Sequence, residues 1–297
     1  MRPLPLVISQ ALLSDADGVR LHPDLASWQA EWLRMRRRWF RCAPMLPLSC
    51  YARLLDCSPA ALIAARTQLP AETRQVWVAS PYFAALGRDS LTVLPEGAFS
   101  WDEQDARWLC DELNPLLEQD GMRLVAVGAA MLLCCVRPLD ARPADFAEIS
   151  GGLLPNRHPP GRDGGRLMRL VAEIQMLLHR HPSPRRRARG VPDVHGLWFW
   201  GGCAPTSVEE EMAVATRNPA LASIAPARQA RCLISEAERV HDLMPSVRPA
   251  HIVLLGKDMA LWLSRGWLPR VLQRDWRPSA TPGDEDQLFA QLRGMIA

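Results

Sequence analysis

The sequence predicts an α/β fold of the mixed α+β kind, and three observations carry that expectation. Short apolar runs of strand length, bounded by Gly, Pro and Asp, alternate with stretches of helical period. One helix start carries a capping signal, Ser100 followed by Glu103. Residues 76–202 then read strand, strand, helix, strand, loop, helix, strand, the order of a single α+β unit with further α/β structure on either side.

Taken in order, Leu4 to Leu13 is apolar and predicts a first strand, with a turn through Asp15, Asp17 and Gly18. Pro23 to Phe40 predicts a helix, because Leu25, Trp28, Trp32, Leu33, Met35 and Trp39 fall on one stripe. A second helix is expected from Pro59 to Thr67. Val76 to Ala85 and Ser90 to Leu94 read as strands around a hairpin at Gly87 and Asp89, with Glu96 to Phe99 as their exit. Ser100 caps a helix over 101–118 whose apolar residues make one buried face, and Gly121 ends it. Met122 to Arg137 returns as one long strand or two short ones. Residues 138–165, rich in proline and glycine, form a long irregular stretch. A helix over 166–180 follows, then an arginine-rich turn and a buried strand from Gly196 to Trp200 that ends at Gly201-Gly202. Beyond Cys203 the chain reads as mainly helical, with a strand at Ile252 to Leu255 and a helix from Ala260 to Gln273. The chain thus divides into an α/β stretch at 1–70, an α+β unit at 71–203 and a mainly helical stretch at 204–297, joined in one compact body.

A chain of 297 residues with 48% hydrophobic composition is able to bury a large core, so disorder is not expected. The net charge of +3 demands neither an acidic partner nor a membrane surface. Lys257 is the one lysine, so arginine is the default cation here and a single arginine carries little meaning. The longest apolar run, Leu124 to Val136, falls short of the roughly 20 residues of a membrane span. Eight cysteines without a Cys-x-x-Cys read as reduced thiols, which places the protein in a cytoplasm. Cys134 and Cys135, inside an apolar run, read as small core residues.

The chemistry-bearing segment is 168–203. His179 and His181 have His-x-His spacing, but they stand at a helix end before Pro182, which suits a helix C-terminus better than a metal. Arg185, Arg186, Arg187 and Arg189 make a dense basic turn with donors suited to phosphate or carboxylate, or a solvated loop. His195 is placed to donate to an anion beside Arg187 and Arg189, or to serve as a structural histidine. Trp198 and Trp200 share a strand face and make a paired aromatic wall, with core packing as the alternative. Gly201 and Gly202 permit a close backbone approach, for a ligand or for a turn. Outside this segment, Arg34, Arg36, Arg37, Arg38 and Arg41 beside Trp39 and Phe40 offer charge and stacking to nucleic acid, or form the solvated face of a core helix.

On His181, Pro182, Gly190, Trp198, Trp200 and Gly201, in a helix, His-Pro turn, Arg/Gly stretch and Trp-x-Trp-Gly strand end, the segment resembles the archaeal-type, cofactor-independent phosphoglycerate mutases. The resemblance extends back through 76–85, 101–118 and 122–137. It is closer to the Rpf type-E family of regulatory proteins. It implies that 71–203 is similar to the insertion region of mutase-like proteins of the alkaline phosphatase superfamily, whose enzymes use two metal ions and a serine nucleophile. The Asp-Gly start that such enzymes carry is replaced by Leu6, Val7, Ile8 and Ser9, and only His241 and His251 remain as histidines downstream. In the segment that binds substrate, Ser183-Pro184, His195 and Cys203 depart from the family pattern.

The expected function is therefore a non-catalytic regulatory or interaction protein on a degenerate mutase-like scaffold, tied by resemblance to control of virulence functions. Its candidate anion-binding residues are His181, Arg187, Arg189, His195, Trp198, Trp200, Gly201 and Gly202, with no catalytic residue, metal or cofactor. The expected partner is an anionic small molecule or a protein, with no membrane. The alternatives are a phosphomutase or phosphatase acting on a phosphorylated metabolite, and a nucleic-acid-binding regulator.

Overall fold

The computed structural model describes residues 4–296 except 16–17, 88–89, 209–211, 227, 244–248, 267–275, 277 and 279–280. The mixed α/β class is present. Contacts divide the chain into two units, residues 57–210 and residues 1–56 with 211–297. That grouping differs from three successive stretches, because the strands of the first 56 residues find their partners near the other end of the chain.

The discontinuous unit contains β1 (Leu6–Ser9), a hairpin of β2 (Leu12–Asp15) and β3 (Gly18–Leu21), α1 (Gln29–Trp32), β4 (Arg36–Arg41) and α2 (Pro47–Leu54). The continuous unit follows with α3 (Pro59–Ala64), β5 (Gln75–Tyr82), β6 (Ala84–Leu86), β7 (Leu91–Val93), α4 (Glu103–Leu117), β8 (Met122–Val127), β9 (Ala130–Cys135), α5 (Phe146–Ile149), α6 (Gly164–Arg180), α7 (Pro184–Ala188) and β10 (Gly196–Cys203). The chain returns to the first unit through β11 (Val214–Ala215), α8 (Pro219–Ile224), β12 (Cys232–Glu236), β13 (His251–Leu255), β14 (Met259–Ser264) and α9 (Glu285–Ile296).

Two expectations are corrected in the discontinuous unit. The helix expected over Pro23 to Phe40 is a 3-10 turn over Pro23–Trp28, the single turn α1, and then the strand β4. Its apolar positions satisfy a helical stripe as far as Trp32, whereas Trp39 is buried because β4 pairs with β14, where Trp39 lies opposite Leu261. The expected mainly helical character after Cys203 gives way to four strands. Together with β1 and β4 they form a six-stranded sheet in the order β11-β12-β1-β13-β14-β4, parallel as far as β13 and antiparallel beyond it. The expected helix from Ala260 begins as β14, and residues 267–273 of it lie outside the described residues. Asp17 and Asp89 lie there too; the hairpin expected around Gly87 forms as β6 with β7, whereas the single strand expected over Leu4 to Leu13 divides into β1 and β2, the latter pairing with β3.

In the continuous unit β10-β5-β9-β8 is an antiparallel sheet. Alternation sends Trp77, Ala79, Leu133, Leu197 and Phe199 to one face, where α4 and α6 bury Leu109, Leu113, Leu170 and Ile174 against them. The residues between point the other way. Helix α4 starts later than expected, at Glu103 rather than residue 101, because Asp102 rather than Ser100 accepts the amides of Gln104 and Asp105. Asn114 on α4 closes the outer edge of β8, accepting from the Leu124 amide at 2.7 Å and donating to its carbonyl at 3.1 Å. Among the described residues no helix is long and apolar enough to cross a membrane.

Candidate functional site

The arginine-rich turn is mostly consumed by the fold. Arg186 is fully buried, donates to Asp105 at 2.7 Å and to the Pro192 carbonyl at 2.6 and 2.9 Å, and lies 4.6 Å from the Phe99 ring centre. Arg185 bridges Asp102 and Asp105, with bonds of 2.7 and 2.9 Å to the first and 2.6 Å to the second. Arg189 donates to Asp102 at 3.1 Å. Burial works to raise the Asp102 pKa, but bonds from Arg185 and the Asp105 amide, with the charges of Arg185 and Arg189, outweigh it and hold the carboxyl below its ordinary value. The signal for this network was in the sequence: two carboxylates three residues apart at a helix start.

Arg187 is the arginine of the turn that the network leaves out. Its side chain is 67% exposed, and its nearest carboxylate is Asp193 at 3.8 Å. It borders an open groove of about 790 Å³ formed by the last turns of α6, the approach to β10 and the β6–β7 hairpin. His195 stands on the same groove. Its backbone amide donates to the Tyr82 carbonyl at 2.8 Å, its ring lies 4.2 Å from that of Phe83, and its Nδ1 is 2.9 Å from the Ala84 carbonyl. The Ala84 amide donates to that same Nδ1 at 3.3 Å, so both backbone groups of Ala84 meet one ring nitrogen and Nε2 is the other polar atom of the ring.

His179, Arg180 and Gln175 of α6 also border the groove, and were not among the candidate site residues of the sequence reading. Gln175 is positioned by a 2.7 Å bond to the hydroxyl of Tyr82, whose pKa burial pushes upward against the opposing effect of that bond. The apolar part of the lining includes Leu91, Val194 and Met176, a methionine that is 55% exposed. The lining thus combines apolar side chains with two arginines and two histidines against one carboxylate, Asp193.

The remaining candidates serve the fold. His181 caps α6 and pairs with Glu112 on α4 at 3.3 Å, so the His-x-His pair splits between groove and helix contact. Trp198 and Trp200 share a face as expected, but both are buried, and their indole N–H groups donate to the Ala144 carbonyl and the Ser80 hydroxyl, each at 2.8 Å. Gly201 takes φ +61° at a register shift of β10, and a Cβ on Gly202 would come within 2.6 Å of the Trp77 indole. The glycine pair therefore answers to the turn and to Trp77. Of the eight candidates the structure brings Arg187 and His195 to the groove.

No family model, curated protein or solved structure matches the chain. The groove's chemistry therefore has to be read from its own residues. Among the described residues the hydrogen-bond partners of His195 are backbone groups of Tyr82 and Ala84. Ser183 is fully buried and its hydroxyl caps α7 by accepting from the Arg186 amide. Among the described residues no three His, Cys, Asp or Glu side chains are grouped to hold a metal ion.

Proposed function

We propose that the protein is a non-catalytic regulatory or interaction protein, built on the mutase-like scaffold its sequence resembles, and that the groove of residues 57–210 holds an anionic small molecule. One observation carries this reading: Arg187 is left exposed on a groove shared with His195, His179 and Arg180, while its three arginine neighbours are committed to Asp102 and Asp105. Exposed donors beside apolar side chains suit a small acid with a carbon body. It is a binding arrangement, without the nucleophile and base that turnover needs. The resemblance to the Rpf type-E family connects such a protein to control of virulence functions.

The test is thermal unfolding and calorimetric titration with a panel of phosphorylated three-carbon acids and nucleotides, with and without manganese or zinc. A ligand at about 100 times its Kd stabilises the native state by about 2.7 kcal/mol, a shift that is readily measured. Arg187→Ala is expected to abolish the shift, and Arg180→Ala to weaken it. Turnover of a phosphorylated acid that requires the metal would replace this reading with that of a phosphomutase or phosphatase.

A further inference from the structure

The reassignment of residues 36–41 from helix to strand places a second set of donors together, on the six-stranded sheet. In the paired strands β4, β14 and β13, Arg36 lies opposite Ser264 and Ser264 opposite His251. Directly opposed residues of antiparallel strands point to the same face, about 5 Å apart, so guanidinium, hydroxyl and imidazole form one row at the end of the sheet. Arg36 is exposed and the other two are partly so. The face beneath Trp39 and Leu261 is the opposite one, so this row is turned away from that core.

The row is held by a neighbour on the same face. Trp262 donates its indole N–H to His251 Nδ1 at 3.2 Å, with the rings edge to face. An indole N–H only donates, so Nδ1 must accept, and the neutral imidazole carries its proton on Nε2. Burial lowers the His251 pKa, which favours that neutral donor form. The Arg36 stem lies against Gly266, where a Cβ would come within 2.7 Å of it. Arg38, two residues along the same face and so about 7 Å further, donates to Gln287, and Arg34 precedes the strand. Among the described residues Arg34, Arg36 and Arg38 have no carboxylate partner, whereas Arg185, Arg186 and Arg189 of the other cluster are tied to Asp102 and Asp105.

We infer that the Arg36–Ser264–His251 row is a phosphate site and that, with Arg34 and Arg38, it takes the backbone of a single-stranded nucleic acid. Three donor types without a carboxylate match a phosphodiester oxygen. The cations stand at alternate positions leading into and along β4, so a linear polyanion engages several where an isolated phosphate engages one. Trp39, Phe40 and Trp262 are buried, so no stacking platform reads the bases, and binding is expected to be independent of sequence and steeply dependent on salt.

Fluorescence anisotropy of the full chain with a labelled oligothymidylate of about 20 nucleotides tests this, since three neutralised phosphates give a slope of log K against log salt near −2. The double variant Arg36→Gln/Arg38→Gln is expected to weaken binding at least about tenfold and to bring the slope close to −0.7. His251→Phe, which keeps a ring beside Trp262 but lacks the donor, is expected to weaken binding without changing the slope. Arg187→Ala, in the groove of the other unit, is expected to change nothing, which separates this site from the proposed groove. Absence of binding at low salt, equal affinity and slope in the double variant with its circular dichroism intact, or equally tight binding of polyglutamate would each overturn the inference.

Discussion

Arg186 and Asp105 are both fully buried, and their pairing decides how the whole arginine-rich turn behaves. A buried guanidinium left without its carboxylate is strongly destabilising, so Asp105→Ala is expected to cost about 3–5 kcal/mol, read from the denaturant midpoint. Asp102 tunes the same network with pH. Its pKa is held below 3.8, so its contribution is complete above that value and is lost as the pH falls through the depressed one. Glu236 has the opposite sign. It is fully buried at the end of β12, and desolvation raises its pKa although Asn218 donates to it at 2.5 Å. The folded state therefore favours the protonated acid, and its stability falls as the pH rises past 4.5, the ordinary glutamate value. Glu236→Gln keeps an acceptor for Asn218 and removes that ionisation. Its melting temperature is expected to exceed that of the parent chain at pH 8 and to converge with it near pH 4.

At the scale of the element, β4 shows why a helical stripe misleads. Trp28, Trp32 and Met35 keep helical spacing through the turns before the strand, and Trp28 stacks on Trp32 at 5.6 Å. The next apolar position is then buried by pairing rather than by a stripe. A consequence appears at the other unit's edge, where Asn114 occupies the backbone groups of Leu124. Asn114→Ala leaves those groups unpaired at a sheet edge. It is expected to lower stability by about 1–3 kcal/mol and to raise the tendency to self-associate, read by analytical ultracentrifugation.

For the whole molecule, the order of strands makes a definite statement about folding. The core that α4 and α6 form on one face of the β10-β5-β9-β8 sheet draws its residues from the continuous stretch 57–210. β1, by contrast, pairs on both sides with strands from the far end of the chain, β12 and β13. A fragment of residues 57–210 is expected to unfold cooperatively on its own and to keep the ligand response proposed for Arg187. A fragment of residues 1–56 is expected to show no cooperative transition. Differential scanning calorimetry of the two fragments checks both outcomes.

The sequence by itself determined the α/β class and the elements whose cause is local: α3, β5, the β6–β7 hairpin, the register of apolar residues in α6 and the start of β10 at Gly196, although that strand runs on through Gly201-Gly202 to Cys203. Each depends on neighbours a few residues away, on a cap, a turn glycine or a period. It also brought out Arg187 and His195, because a basic turn followed by a histidine before a strand is visible in one dimension. What it left undecided are the pairings between residues far apart in the chain. Whether an arginine meets a carboxylate, as Arg186 meets Asp105, or is left exposed, as Arg187 is, depends on which helix the turn packs beside. Whether residues 36–41 form helix or strand depends on β14, more than two hundred residues later. Only the tertiary structure settled these, because burial and charge pairing are properties of neighbours in space.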